Sequence, residues 1–196
     1  MALTDAIADY EAAALRVQPE LLRRARDPVT GVADHFLAPL HLPDSIRAVA
    51  HWHDGGFEVP GVGEWFSLQR SVEHRAHMRE FVRNNAAGWP VPMMPIPSQW
   101  FPIAAGGGTE WSYLVELTPE PRADSPIWRY DSDGGPCVVS NWSSVEVLFR
   151  IAAERIRTGD DGTSTRLDIQ MDPGYLQHES VEAYPEDWPR RWDHAI

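Results

Sequence analysis

Lysine is missing from this chain: all 17 basic residues are arginine. A lysine Schiff base and a Walker-type phosphate lysine are therefore excluded. Cysteine is nearly missing too. The single Cys137, between Pro136 and Val138, cannot form an internal disulfide and reads as a small buried hydrophobe rather than a nucleophile. No apolar run approaches the ~20 residues a membrane-spanning helix needs, and the N-terminus lacks a charged segment followed by an apolar signal-peptide stretch. A soluble, cytoplasmic protein without a membrane partner is the expectation. Positive charge is scarce, with 17 basic against 29 acidic residues and a net charge of −12. That balance opposes direct nucleic-acid binding, which needs a basic footprint, and favours a basic protein partner.

What is present is a foldable core. The chain has 196 residues, of which 43% are hydrophobic, enough for one domain. Its clearest pattern is Trp100-Phe101-Pro102-Ile103-Ala104-Ala105, then Gly106-Gly107-Gly108, then Trp111-Ser112-Tyr113-Leu114-Val115-Glu116-Leu117. Aromatic and β-branched residues fill both runs and the turn chemistry lies between them, which predicts a hairpin. Ile127-Trp128-Arg129-Tyr130 supplies a third strand ending at the turn Asp131 to Gly135, so residues 100 to 131 should form three consecutive antiparallel strands. A helix should follow that turn. A phosphate-binding reading of the glycines would require a helix behind them, and a strand is what the sequence offers.

Helical signals surround this meander. Thr4 reads as the cap of a helix with Ile7, Tyr10, Ala14 and Leu15 on one face, and Pro19 starts a short second helix. Residues 27 to 41 form a connection. Pro43 opens a helix through Ile46, Val49 and Ala50 toward Gly55, and residues 57 to 63 read as a Gly/Pro loop. Between Arg70 and Asn85 the stripe Val72, Met78, Phe81, Val82 predicts a helix with its charged residues and histidines on the other faces. Residues 88 to 97 hold four prolines among large apolar side chains, an extended connector. Ser143-Ser144 caps a last strong helix with the stripe Val145, Leu148, Phe149, Ala152 and Ile156, where Arg150, Arg155 and Arg157 complement the helix dipole. Residues 158 to 196 carry nine acidic residues against three arginines, with Tyr175, Tyr184, Trp188 and Trp192 as anchors that dock part of an acidic tail.

Metal and catalytic motifs are incomplete. His51 and His53 do not converge on a helix, and the one-turn pair His74 and His77 lacks the Glu of H-E-x-x-H; neither pair has a full ligand set, so no metal and no cofactor is expected. Asp131-Ser132-Asp133-Gly134 starts like a calcium loop but lacks its later Gly and Glu. No G-x-S-x-G elbow is present, and no catalytic residue is assigned. Of the nine tryptophans, Trp65, Trp100 and Trp128 lie in strand-like runs and read as core.

The order of these features resembles a known family. Leu42-Pro43 opens a helix ending at Asp54-Gly55-Gly56; Trp65-Phe66-Ser67-Leu68, Trp100 to Ala104 before the glycines, Tyr113-Leu114, Trp128-Arg129-Tyr130-Asp131 and the helix from Ser143-Ser144 follow. This order resembles the SUKH superfamily, the Smi/Knr-like family, over roughly residues 36 to 158. His51-Trp52-His53-Asp54 departs from the family's small apolar residues and Asn, and the segment from 70 to 99 is longer than usual. The resemblance implies an α+β fold, a mainly antiparallel sheet with helices packed on it, used for binding. It implies an immunity protein that neutralises a bacterial toxin, often a nuclease, or a regulatory scaffold. It carries over no catalytic residues.

The resulting organisation is an N-terminal helical extension at 1–35, a SUKH-like domain at 36–158 and an acidic tail at 159–196. Glu64, Glu110, Asp131 and Asp133 flank apparent strand ends and are the candidate partner-binding residues for a basic protein such as a toxin domain. The rivals are a scaffold without a toxin partner and a small hydrolytic enzyme of unrecognised class.

Overall fold

A computed structural model describes residues 2–29, 37–85, 99–106, 111–131, 137–162 and 166–172. Its elements run α1 (Leu3–Val17), a 3-10 helix (Pro19–Leu22), α2 (Asp44–Trp52), β1 (Glu58–Val59), β2 (Gly63–Trp65), α3 (Leu68–Asn85), β3 (Trp100–Ala105), β4 (Trp111–Glu116), β5 (Ile127–Asp131), β6 (Cys137–Trp142), α4 (Val145–Thr158) and α5 (Arg166–Met171). The fold is α+β. All six strands form one sheet in sequence order, β1 to β6, and every neighbouring pair is antiparallel.

The three expected strands are present as β3, β4 and β5, so the glycine segment is followed by a strand. Three expectations are corrected. Residues 57 to 63 are not simply a loop, because β1 and β2 pair there, with Val59 opposite Gly63. The helix does not follow directly on the turn after Asp131, because β6 intervenes and pairs Asp131 with Cys137. At the N-terminus Ala2, not Thr4, is the cap residue, and its N–H donates to Asp5 Oδ2 at 3.2 Å. Ser144 does cap α4: its hydroxyl accepts from Val147 N–H at 3.1 Å, and Gly159 closes the helix in the left-handed region. The connector at 88–97, the glycines 107 and 108, and Tyr175, Tyr184, Trp188 and Trp192 lie outside the described residues.

Strand alternation divides the side chains between two faces. Trp65, Ala104 and Tyr113 stand in one register row, on the face covered by α1 and α4. Here Phe57 stacks on Trp65 with centroids 5.8 Å apart, and Tyr10 of α1 meets Phe149 of α4 edge-on at 5.3 Å. Burial of each such ring stabilises the fold by roughly 1.5–3 kcal/mol. The Tyr10 hydroxyl also donates to the Glu58 carbonyl, and burial with the nearby Glu58 charge pushes its pKa up. Residues 1 to 35 thus contribute Ala6, Ile7, Tyr10, Ala13 and Ala14 to the same core as the strands.

The other face is covered by α3. That helix corrects a further expectation: Val72 is 37% exposed, while Ser71 and Met78 are buried and His74 and Arg75 are half-buried between them. Positions 71, 74, 75 and 78 follow the i, i+3, i+4, i+7 rule, so the sheet-facing stripe is largely polar. Its rotation is fixed at the N-terminus, where Asp54 Oδ1 accepts from Leu68 N–H at 2.9 Å and Ser67 Oγ accepts from Arg70 N–H at 3.2 Å.

Candidate functional site

The row on the α3 face begins at the sheet edge. Glu64 lies opposite both Glu58 of β1 and Ala105 of β3; Ala105 lies opposite Ser112, and Ser112 opposite Tyr130. Directly opposed residues share a face, so Glu58 and Glu64 form a like-charged cross-strand pair, which is unfavourable on its own. Arg70, in the first turn of α3, offsets it by an ion pair from Nη1 to Glu64 Oε1, and its guanidinium lies 4.3 Å over the Phe66 ring. Glu64 and Arg70 are both more than a third exposed, so this pair is a surface interaction of small net stability.

Of the other candidates, Asp131 is the last residue of β5, paired with Trp111 and Cys137 in the row next to that of Glu64. The register does not bring the two into one row. Glu110 and Asp133 lie outside the described residues.

Further along the same row, His74 Nε2 and Ser112 Oγ share a hydrogen bond at 2.9 Å. The His74 ring packs edge-on to Phe66 at 5.1 Å. Sequence gave no signal for this pair, which joins a helix to a strand 38 positions away. A His–Ser pair invites a hydrolase reading, which requires an acceptor to orient the imidazole and donors aimed at a developing oxyanion. The charges that act on His74 are instead those of His77 and Arg70, and Ser112 is only 3% exposed beneath α3. The geometry makes the pair a polar tie between helix and sheet.

Burial, then His77 and Arg70, push the His74 pKa below its ordinary 6.5, so the folded state resists protonation. Stability tied to His74 is therefore intact above 6.5 and is lost as pH falls through the window below it. Urea midpoints should drop between about pH 7.5 and about pH 5.5, and His74→Gln should remove part of that drop. Equal drops in both proteins would show that His74 does not titrate as described.

On the opposite face a buried ionic network joins α4 to α5. Arg155 Nη2 donates to Asp168 Oδ2 at 2.6 Å with both side chains almost fully buried, and Nη1 donates to the Pro60 carbonyl at 3.2 Å. Trp142 Nε1 donates to Asp168 Oδ1 at 2.8 Å. Asp172 accepts from Ser143 N–H at 2.6 Å, and the Tyr113 hydroxyl donates to the Gly61 carbonyl at 3.0 Å. Gly61 approaches the Arg155 guanidinium so closely that any Cβ there would collide with it. Every group in this cluster is held by another part of the fold, which makes it a structural clasp.

The remaining histidines singled out by sequence are separate from one another. His53 Nδ1 bonds the Arg26 carbonyl at 2.9 Å, while His51 and His77 are exposed on α2 and α3. Among the described residues no helix is long and apolar enough to cross a membrane. Compared with known proteins, the chain matches no family model and no curated protein.

Proposed function

We propose that this chain is a non-catalytic protein-binding domain, an immunity-type protein of the SUKH kind that neutralises a basic toxin, of nuclease type, by direct contact. The observation that carries the reading is the acidic sheet edge, where Glu58 stands opposite Glu64 and one arginine offsets two carboxylates, in a chain of net charge −12. Beside these charges a partner rich in Arg or Lys gains both complementarity and a faster encounter. Asp131, the last residue of β5, adds a further acidic residue. In this reading the His74–Ser112 contact and the Arg155 clasp hold the scaffold and do not react.

The test pairs the purified chain with the basic protein encoded beside its own gene. Association should slow steeply as salt rises, because the Debye length shrinks from ~30 Å at 0.01 M to ~8 Å at 0.15 M. Reversals Glu64→Arg, Asp131→Arg and Asp133→Arg should each lower the association rate while leaving the fold intact. A partner whose on-rate ignores both salt and the reversals would remove this surface from recognition. A chain whose gene has no toxin neighbour, yet which binds a regulatory protein, would be a scaffold.

A further inference from the structure

The acidic chain carries one strongly basic element. Helix α3 holds Arg70, Arg75, Arg79 and Arg83 with His74 and His77, against only Glu73 and Glu80. Arg70 is occupied by Glu64. Arg75 differs: it is half-buried in the sheet-facing stripe, its Nε is fully buried without a hydrogen-bond partner, and among the described residues it meets no carboxylate.

Arg79 lies one turn on at i+4, exposed, and adds its own positive charge to the same helix face. Two like charges at this spacing repel, and one of them is also removed from water. Burial, with Arg79 beside it, lowers the Arg75 pKa, a sign that its charge is uncompensated by the fold itself. Among the described residues Asp9, Glu64, Glu116, Glu146, Glu154, Asp160 and Asp168 sit against other arginines, and no carboxylate sits against Arg75.

We infer that Arg75 and Arg79 form an oxyanion site on α3, which takes a phosphate or carboxylate group of a small ligand through the planar guanidinium fork of Arg75, with Arg79 as the second cation. The fork geometry suits two-oxygen recognition, and partial burial strengthens each charge-assisted hydrogen bond. The site lies on α3 beyond Arg70, the residue that pairs with Glu64, and does not rest on the toxin-binding reading.

Calorimetric titration at low ionic strength, using inorganic phosphate in one arm and succinate in the other, tests this site on the full chain. Saturable one-to-one binding of at least one anion is the expected result, and the stronger arm identifies the chemistry. Arg75→Met should weaken that binding about tenfold or more, and Arg79→Gln by a smaller factor. Arg16→Gln, on α1, should leave it unchanged. Arg75→Lys keeps the charge and loses the fork, so it should bind with intermediate affinity; it serves as the decisive variant if the methionine protein does not fold. No saturable binding of either anion, or equal binding by the wild type and Arg75→Lys, overturns the proposal.

Discussion

Asp168→Ala should destabilise the protein by about 3–5 kcal/mol, because it leaves the Arg155 guanidinium buried and without its counter-ion. Arg155 and Asp168 are 1% and 2% exposed, so water cannot replace the lost partner. The same change removes the acceptor of the Trp142 indole N–H and loosens α5, which Asp168 joins to α4 and β6. Urea unfolding followed by tryptophan fluorescence should show the lowered midpoint. The double variant Arg155→Met, Asp168→Leu should lose clearly less than the sum of the single losses, since a buried pair removed together leaves no lone charge. Additive losses would mean that the two groups do not depend on each other.

The pH dependence of this pair has an unusual sign. Burial raises the Asp168 pKa above its ordinary value, and the Trp142 and Arg155 contacts offset only part of that rise. Between the ordinary and the raised value the folded state keeps a proton that the unfolded state has released, so stability falls as pH rises through that window. Asp168 therefore does not contribute to acid unfolding, whereas His74 does. Asp168→Asn keeps an acceptor for Trp142 and should cost less than Asp168→Ala.

The parts of the fold that sequence revealed are those with a strong local signal. β3, β4 and β5 combine apolar runs with turn residues, and α4 has both its serine cap and its glycine stop. β1 and β2 are two and three residues long and lie between glycines and prolines, so their pairing depends on Phe57 stacking against Trp65 and on β3 alongside. By sequence Arg155 complements the helix dipole, yet it falls four positions after Ile151 and three after Ala152, within the buried stripe. Its partner Asp168 arrives from a helix that no local pattern ties to α4. In α3 the apolar residues suggested one rotation and the caps impose another: Asp54 and Ser67 fix where the first turn points, which carries Val72 outward and His74 and Arg75 in. The His74–Ser112 contact follows from that rotation, so single-sequence periodicity could not reveal it.

Gly55→Ala should destabilise the protein by more than about 4 kcal/mol. Gly55 follows α2 with φ of +74°, a region that costs an L side chain about 1–2 kcal/mol by itself. A Cβ there would also fall inside van der Waals distance of the Phe66 carbonyl carbon and the Ser67 nitrogen. Those are backbone atoms, and no rotamer change can move them. They belong to the junction between β2 and α3, where Phe66 N–H donates to the Ile103 carbonyl at 2.8 Å and Gly56 N–H to the Trp65 carbonyl at 2.9 Å. Displacing that junction would pull β2 from β3 and break the Asp54 cap that sets the rotation of α3. Gly159→Ala is the matched control: its φ of +71° is similar, but nothing lies within 4 Å of an added Cβ, so only the conformational cost of about 1 kcal/mol remains. Urea midpoints of the two variants should differ severalfold in their shift from wild type. Equal shifts would show that the left-handed backbone, and not the close packing of α2 against the β2–α3 junction, makes glycine necessary at position 55.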